Sequence, residues 1–314
     1  MHIKKPLIII MILNMCSSTA QEHRTEYKWQ DVNGINIFYR VAGDRTKPTI
    51  ILFHGTPSSS VMYQKLIDLL KEDFYLIAPD YPAHGYSDTP DPKSYEYSFE
   101  NIAKTMEHFL DSLKISKYSI YMQDYGAPIG FRIALNHPER VQALLIQNGN
   151  AYIDGFPSAQ DMKGELQTYW RDKNPEYEKE WMEFYESLNL ASADKWKHNS
   201  YVSPDRRALD VAVMKKPGTL EIFRDLWFDY GNNVKQYPKW QDYLRKYTPP
   251  TLVMWGRKDG FFTVPGALAY LRDVPEAEVH ILDGGHWLAT DDNPVLVADL
   301  ITNFFKNNKN LKQL

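Results

Sequence analysis

Cysteine is almost absent from this chain: Cys16 is the only one in 314 residues. It falls within an N-terminal stretch expected to be cleaved. The mature chain would therefore have no disulfide, no cysteine metal ligand and no thiol nucleophile. Runs of one charge are missing too. The formal net charge is −4, and no basic stripe suggests nucleic acid or an anionic membrane surface as a partner. No phosphate loop, dinucleotide fingerprint or metal-ligand cluster appears, so no cofactor and no metal are expected. There is no internal repeat or low-complexity tract. With 43% hydrophobic and 24% charged residues, the composition suits one large α/β domain with an insertion. The oligomeric state is not readable.

The first 20 residues differ from the rest. Lys4 and Lys5 precede the apolar run Leu7 to Leu13, and Ser18-Thr19-Ala20 supplies small residues for cleavage after Ala20. This reads as a secretory signal, too short to span a bilayer. Lipoprotein processing at Cys16 is the rival, disfavoured by bulky Met15 before it. The expectation is an exported, periplasmic or secreted protein with no stable membrane span. Losing Lys4 and Lys5 would make the net charge two units more negative.

Beyond the signal, strands and helices alternate. Tyr27 to Val32 and Ile35 to Val41 flank Asn33-Gly34, a hairpin signal. Further buried strands are expected over Thr49 to Phe53, Phe74 to Ala78, Tyr118 to Met122, Val141 to Ile146, Thr251 to Trp255 and Glu278 to Leu282. Helices are expected over Val61 to Leu70, from Ser98 onward, after Gly126 to His137-Pro138, near Pro265 to Leu271, and from about Asp292 to Phe305. From about Ala151 to Tyr247 the alternation stops and the sequence turns aromatic and helical. The architecture is α/β: an eight-stranded, mostly parallel sheet over 21–150 and 248–314, with a helical cap over 151–247 inserted after the sixth strand.

The stretch Gln123-Asp124-Tyr125-Gly126-Ala127-Pro128-Ile129-Gly130 reads as a strand end, a sharp turn and a helix start. Such an elbow normally presents a serine; here its tip is a carboxylate. Asp259 follows in Trp255-Gly256-Arg257-Lys258-Asp259-Gly260, and His286 in Gly284-Gly285-His286-Trp287. Nucleophile, acid and histidine come in that chain order, each just past a strand end, where open α/β sheets place their sites. Asp124 alone could be a helix N-cap, Asp259 a turn residue and His286 a core histidine. Together with His54-Gly55-Thr56-Pro57 they read as a catalytic set. Asn148 and Asn150 stand at an alternative position for the acid but cannot ionise.

These motifs resemble the α/β-hydrolase superfamily, within it the aspartate-nucleophile branch of epoxide hydrolases and haloalkane dehalogenases. The resemblance runs from about Asn33 to Phe305. It implies a cis bond before Pro57 and an oxyanion hole from the backbone N–H groups of Thr56 and Tyr125. It also implies that His54, Pro57, Trp170 and Trp287 line the pocket. A carboxylate is already an anion at neutral pH, with an ordinary pKa of ~3.9. Attack on a saturated carbon gives an alkyl ester, which His286, oriented by Asp259, opens by activating water.

The leaving group divides the branch. An epoxide oxygen leaves as an alkoxide and needs a proton donor, and epoxide hydrolases of this type use cap tyrosines. Tyr169 and Tyr230 are the candidates, with Tyr237 behind the second. A halide needs N–H donors. Dehalogenases typically supply tryptophan after the nucleophile and often asparagine after His-Gly, where this chain has Tyr125 and Thr56. Fluoroacetate-type enzymes have arginine at the position of Tyr125. The expectation is an epoxide hydrolase, with a dehalogenase or another hydrolase using the same alkyl-ester chemistry as the alternative and a non-catalytic binding relative as the third reading. His54 and His84 read as loop structure. The aromatic cap suggests a small lipophilic substrate.

Overall fold

The computed structural model of the chain describes residues 24–157, 165–190, 203–308 and 311. The expected signal, residues 1–20, lies outside them.

Eight strands form one sheet: β1 (Glu26–Val32), β2 (Ile35–Ala42), β3 (Thr49–Phe53), β4 (Tyr75–Pro79), β5 (Tyr118–Gln123), β6 (Val141–Gln147), β7 (Thr251–Gly256) and β8 (Glu278–Leu282). Their order is β1-β2-β4-β3-β5-β6-β7-β8. The β1–β2 and β2–β4 pairs are antiparallel and the rest parallel. The β1–β2 turn is the expected Asn33-Gly34, with φ of 54° and 84°. Two positive φ values are what a two-residue hairpin with the right-handed strand twist requires.

The central strands are apolar on both faces because both are covered. Alternate residues point opposite ways. Ile50, Leu52, Leu145, Leu252 and Met254 meet helices α1 (Gln64–Leu70) and α9 (Pro294–Asn307) through Leu66, Ile67, Ile301 and Phe304. Ile51, Phe53, Ile120, Met122, Ile146 and Val253 form the opposite core with α2 (Phe99–Ser112), α3 (Gly126–Asn136) and α8 (Val264–Ala269). Ser98 caps α2 by accepting from the Asn101 N–H at 3.2 Å. Burial of this kind contributes ~25 cal/mol per Å² of apolar surface removed from water.

Between β6 and β7 the chain leaves the sheet. Among the described residues this insertion holds α4 (Glu165–Asp172), α5 (Pro175–Leu190), α6 (Pro204–Met214) and the 29-residue α7 (Thr219–Tyr247). It is the helical cap expected after the sixth strand. Two helix starts differ from expectation by two residues or more. The helix placed at Val61 is a single 3-10 turn over Ser60–Tyr63 before α1 begins. The last helix starts at Pro294, after a π turn over Leu288–Asp292. Proline fits the first turn of a helix, where its missing N–H has no partner to lose. No described helix is long and apolar enough to cross a membrane.

Candidate active site

The site lies at the C-terminal ends of β3, β5, β6, β7 and β8. The chain turns sharply from β5 into α3 at Asp124, whose φ is +52°. A non-glycine residue held there is uncommon and strained. The turn is possible because α3 starts flush against the sheet: a Cβ on Gly126 would lie 2.3 Å from the Phe53 carbonyl oxygen. On the other side, a Cβ on Gly55 would lie 2.6 Å from Asp124 Cβ. Glycine at both positions lets backbone close on the carboxylate.

The Thr56 N–H donates to Asp124 Oδ1 at 2.8 Å, and the Tyr125 N–H also hydrogen-bonds this carboxylate. The two donors expected from the motifs therefore converge on one group. The Thr56–Pro57 bond is cis and Pro57 is buried. Burial pushes the Asp124 carboxyl up from its ordinary value; His286 and the two N–H groups oppose that shift.

The structure brings His286 to the same place. Its Nε2 lies 3.8 Å from Asp124 Oδ2, and its Nδ1–H donates to Asp259 Oδ2 at 2.8 Å. Burial works against charge at Asp259, but His286 and the N–H groups of Phe261 and Phe262 outweigh it and hold the carboxyl below its usual range. Burial likewise disfavours a charged His286. Asp259 and then Asp124 outweigh it, and the imidazole ends above its ordinary value. The aromatic rings of Phe261, Phe262 and Trp287 wall the imidazole at centroid distances of 5.2, 5.7 and 5.2 Å.

Some supporting residues escaped the sequence reading. Asn148, considered only as a place where an acid was missing, donates to Asp259 Oδ2 at 2.7 Å and accepts from the Gly256 N–H at 3.0 Å. Its position at the end of β6, next to β7, was the available signal. Gln123 and Gln147, paired in register on β5 and β6, both reach His286.

The cap residues divide. The Tyr230 ring packs on Tyr125 at 6.0 Å, and its hydroxyl, fully buried, feels the charge of Asp124. The Tyr237 hydroxyl lies close enough to influence it, though among the described residues neither makes a hydrogen bond of normal geometry. Tyr169 is also buried, but its ring meets Tyr177 and Phe228, and the charges around it are Glu178, Arg224 and Asp225. Tyr185 was not singled out. Its hydroxyl interacts with the Thr56 side chain and feels Asp124. Nothing in helical spacing distinguishes it from the neighbouring aromatics.

Trp170 stacks on Tyr230 at 5.6 Å and donates its N–H to the Trp227 carbonyl at 3.0 Å. Trp287 packs with the α1/α9 side of the core, under the Arg206 guanidinium at 4.8 Å. His54 stacks on Tyr81 at 3.9 Å and accepts its N–H at 3.3 Å. Burial drives the pKa of His54 well below the imidazole range and that of His84 down to about 4, so both are neutral loop groups.

Residues 48–292 match the family described as the alpha/beta hydrolase fold. The chain belongs to the α/β-hydrolase family. An uncharacterized hydrolase of Saccharomyces cerevisiae is 38% identical over 287 residues, 90% of this chain and 97% of that protein. A cis-3-alkyl-4-alkyloxetan-2-one decarboxylase of Shewanella oneidensis is 26% identical, covering 80% of both chains. Epoxide hydrolase 4 of Mus musculus is 26% identical over 87% of this chain and 77% of its own. Among solved structures, a haloalkane dehalogenase from Bradyrhizobium elkani superposes with a TM-score of 0.72 at 18% identity, over 90% of this α/β-hydrolase and 98% of its own chain. The chain is a hydrolase of this fold, in keeping with an aspartate nucleophile at the elbow.

Proposed function

We propose that this α/β-hydrolase is an epoxide hydrolase that works through an alkyl ester on Asp124. The observation that carries the reading is that two buried cap tyrosines reach the two residues whose N–H groups hold the Asp124 carboxylate: the Tyr230 ring packs on Tyr125 at 6.0 Å, and the Tyr185 hydroxyl interacts with the Thr56 side chain. The Asp124 carboxylate attacks a ring carbon and its C–O bond breaks. The departing oxygen takes a proton from a cap tyrosine, the acid suited to an alkoxide. His286 then takes a proton from water, and the hydroxide adds to Asp124 Cγ. The resulting oxyanion sits between the Thr56 and Tyr125 N–H groups; losing one such donor costs on the order of 3 kcal/mol. Collapse breaks the bond from Cγ to the substrate-bearing oxygen, which takes the proton of the added hydroxyl; the diol leaves with Asp124 again a carboxylate, and the proton on His286 returns to the tyrosinate.

A second reading, displacement of halide, has one observation in its favour. Among the described residues the buried Trp227 N–H has no acceptor, and its ring lies 5.6 Å from Tyr230. Weighing the Asp124 peptide from a His286→Gln variant after exposure to substrate separates the readings. An epoxide adds its whole mass; a haloalkane adds its mass less hydrogen halide. No adduct with either class would overturn the alkyl-ester chemistry. We also propose that the protein is exported after cleavage behind Ala20. The N-terminal sequence of the protein isolated from its native cells tests this, and an uncleaved N-terminus would refute it.

A further inference from the structure

Gln123 ends β5 immediately before the nucleophile and is fully buried. Its side-chain amide nitrogen donates twice to one residue: to His286 Nε2 at 2.8 Å and to the His286 main-chain carbonyl at 3.3 Å. Beside it, Gln147 donates to the same carbonyl at 3.1 Å, while its Oε1 accepts from the Ala289 N–H at 3.1 Å. The Ala289 N–H can only donate and the His286 carbonyl can only accept, so both amides are fixed in orientation. Turning Gln123 over would set its oxygen against the carbonyl oxygen of His286. Among the described residues its Oε1 has no donor, and it lies where a Cβ on Gly55 would come within 2.3 Å.

We infer that Gln123 is a positioning residue for His286. Its amide holds the ring as the neutral tautomer, with the proton on Nδ1 facing Asp259 and the Nε2 lone pair accepting the Gln123 N–H. A donor at Nε2 admits no proton there. The arrangement therefore selects the form that can act as a base, and the incoming water must replace the Gln123 N–H at Nε2 before it can be deprotonated. Once the ring is an imidazolium, the fixed amide opposes it, because two N–H groups face each other. Among the described residues, the charged groups that face the ring are Asp124 and Asp259; Phe261, Phe262 and Trp287 are its other neighbours. Both carboxylates favour the imidazolium, so Gln123 is the neighbouring group that favours the neutral ring.

The inference rests on the proposed reaction only for the role of His286 as base, and its test needs no substrate. The readout is a pH titration of the full chain labelled with 15N-histidine, with His286 assigned by its loss in His286→Gln. At pH above its titration midpoint the wild type should show a hydrogen-bonded, unprotonated Nε2 and a protonated Nδ1. Gln123→Leu should raise the titration midpoint by about half a unit or more, and Gln123→Glu should raise it further. In turnover, the loss should fall on hydrolysis of the Asp124 ester rather than on its formation, and the acid limb should move with the midpoint. A neutral wild-type ring that carries its proton on Nε2, or a midpoint unchanged in Gln123→Leu, overturns the inference. The wild-type tautomer decides even if the variants do not fold. An absent ester with a correct tautomer would instead count against the alkyl-ester chemistry and leave this inference standing.

Discussion

Replacing Asp259 with asparagine sets a conflict that can be followed atom by atom. Oδ2 accepts from His286 Nδ1 at 2.8 Å and from Asn148 Nδ2 at 2.7 Å, while Oδ1 accepts from the Phe261 N–H at 2.7 Å. An amide offers one acceptor oxygen and one donor nitrogen. If the nitrogen takes the place of Oδ2, it meets the Asn148 donor and can pair with His286 only if the proton moves from Nδ1 to Nε2. If it takes the place of Oδ1, it meets the Phe261 N–H. Either arrangement leaves a buried donor unpaired, costing ~1–3 kcal/mol in stability. The first also removes the base, because Nε2 then carries the proton. Turnover should fall on the order of 10³–10⁴-fold, or roughly 4–5.5 kcal/mol in the barrier, the scale seen when an amide replaces the carboxylate of a serine-protease triad. Ester formation needs no base and should fall much less. Rapid quench with intact-mass detection should show one equivalent of alkyl enzyme forming quickly and decaying slowly. Turnover within tenfold of wild type, or equal slowing of both steps, would refute this account of Asp259.

Three other outcomes follow from the same geometry. The net shift of His286 is upward, under the pull of Asp259 and Asp124, and only its neutral form accepts a proton. Activity should therefore be lost as pH falls through a midpoint above the ordinary imidazole value of ~6.5, which a pH–kcat profile measures. Tyr230→Phe and Tyr185→Phe should each slow ester formation from an epoxide by about 10²-fold or more while sparing hydrolysis of an ester already formed, a split visible in pre-steady-state mass measurements. Arg206 bridges Asp210 at 3.3 Å and Asp291 at 2.5 Å in the interior. Arg206→Met should destabilise the fold by about 3 kcal/mol in denaturant melts. Burial already raises Asp210 to about 6 and raises Asp291. Both acids can take up protons in the folded state more readily than in the unfolded chain, so the loss should be smaller at pH 5 than at pH 8.

The parts legible in the sequence were those written locally. The strand β5, the small residues of the turn and the proline after α3 all lie within one short stretch. Asn33-Gly34 carries its own turn geometry, and Asp259 and His286 follow strands whose apolar runs can be read directly. What stayed hidden depends on pairing across the sheet. Asn148 matters because β6 lies beside β7, and Gln123 and Gln147 matter because β5 and β6 set them side by side under one histidine carbonyl. Neither relation has a local signature. The cap was legible as a composition but not as a surface: Tyr169, Tyr185 and Tyr230 all sit on aromatic helices, and only packing decides which of them meets Asp124.

Every hydrogen bond described for the side chains of Asp124, Asp259 and His286 comes from the sheet's strand ends and the loops that follow them, none from α4 to α7. The reactive group and the chamber above it are thus assembled from separate stretches of chain. Exchanging the helices over the chamber could redirect such an enzyme to a new electrophile while its ester-opening half stays intact, so diversification of choice need not disturb the chemistry beneath.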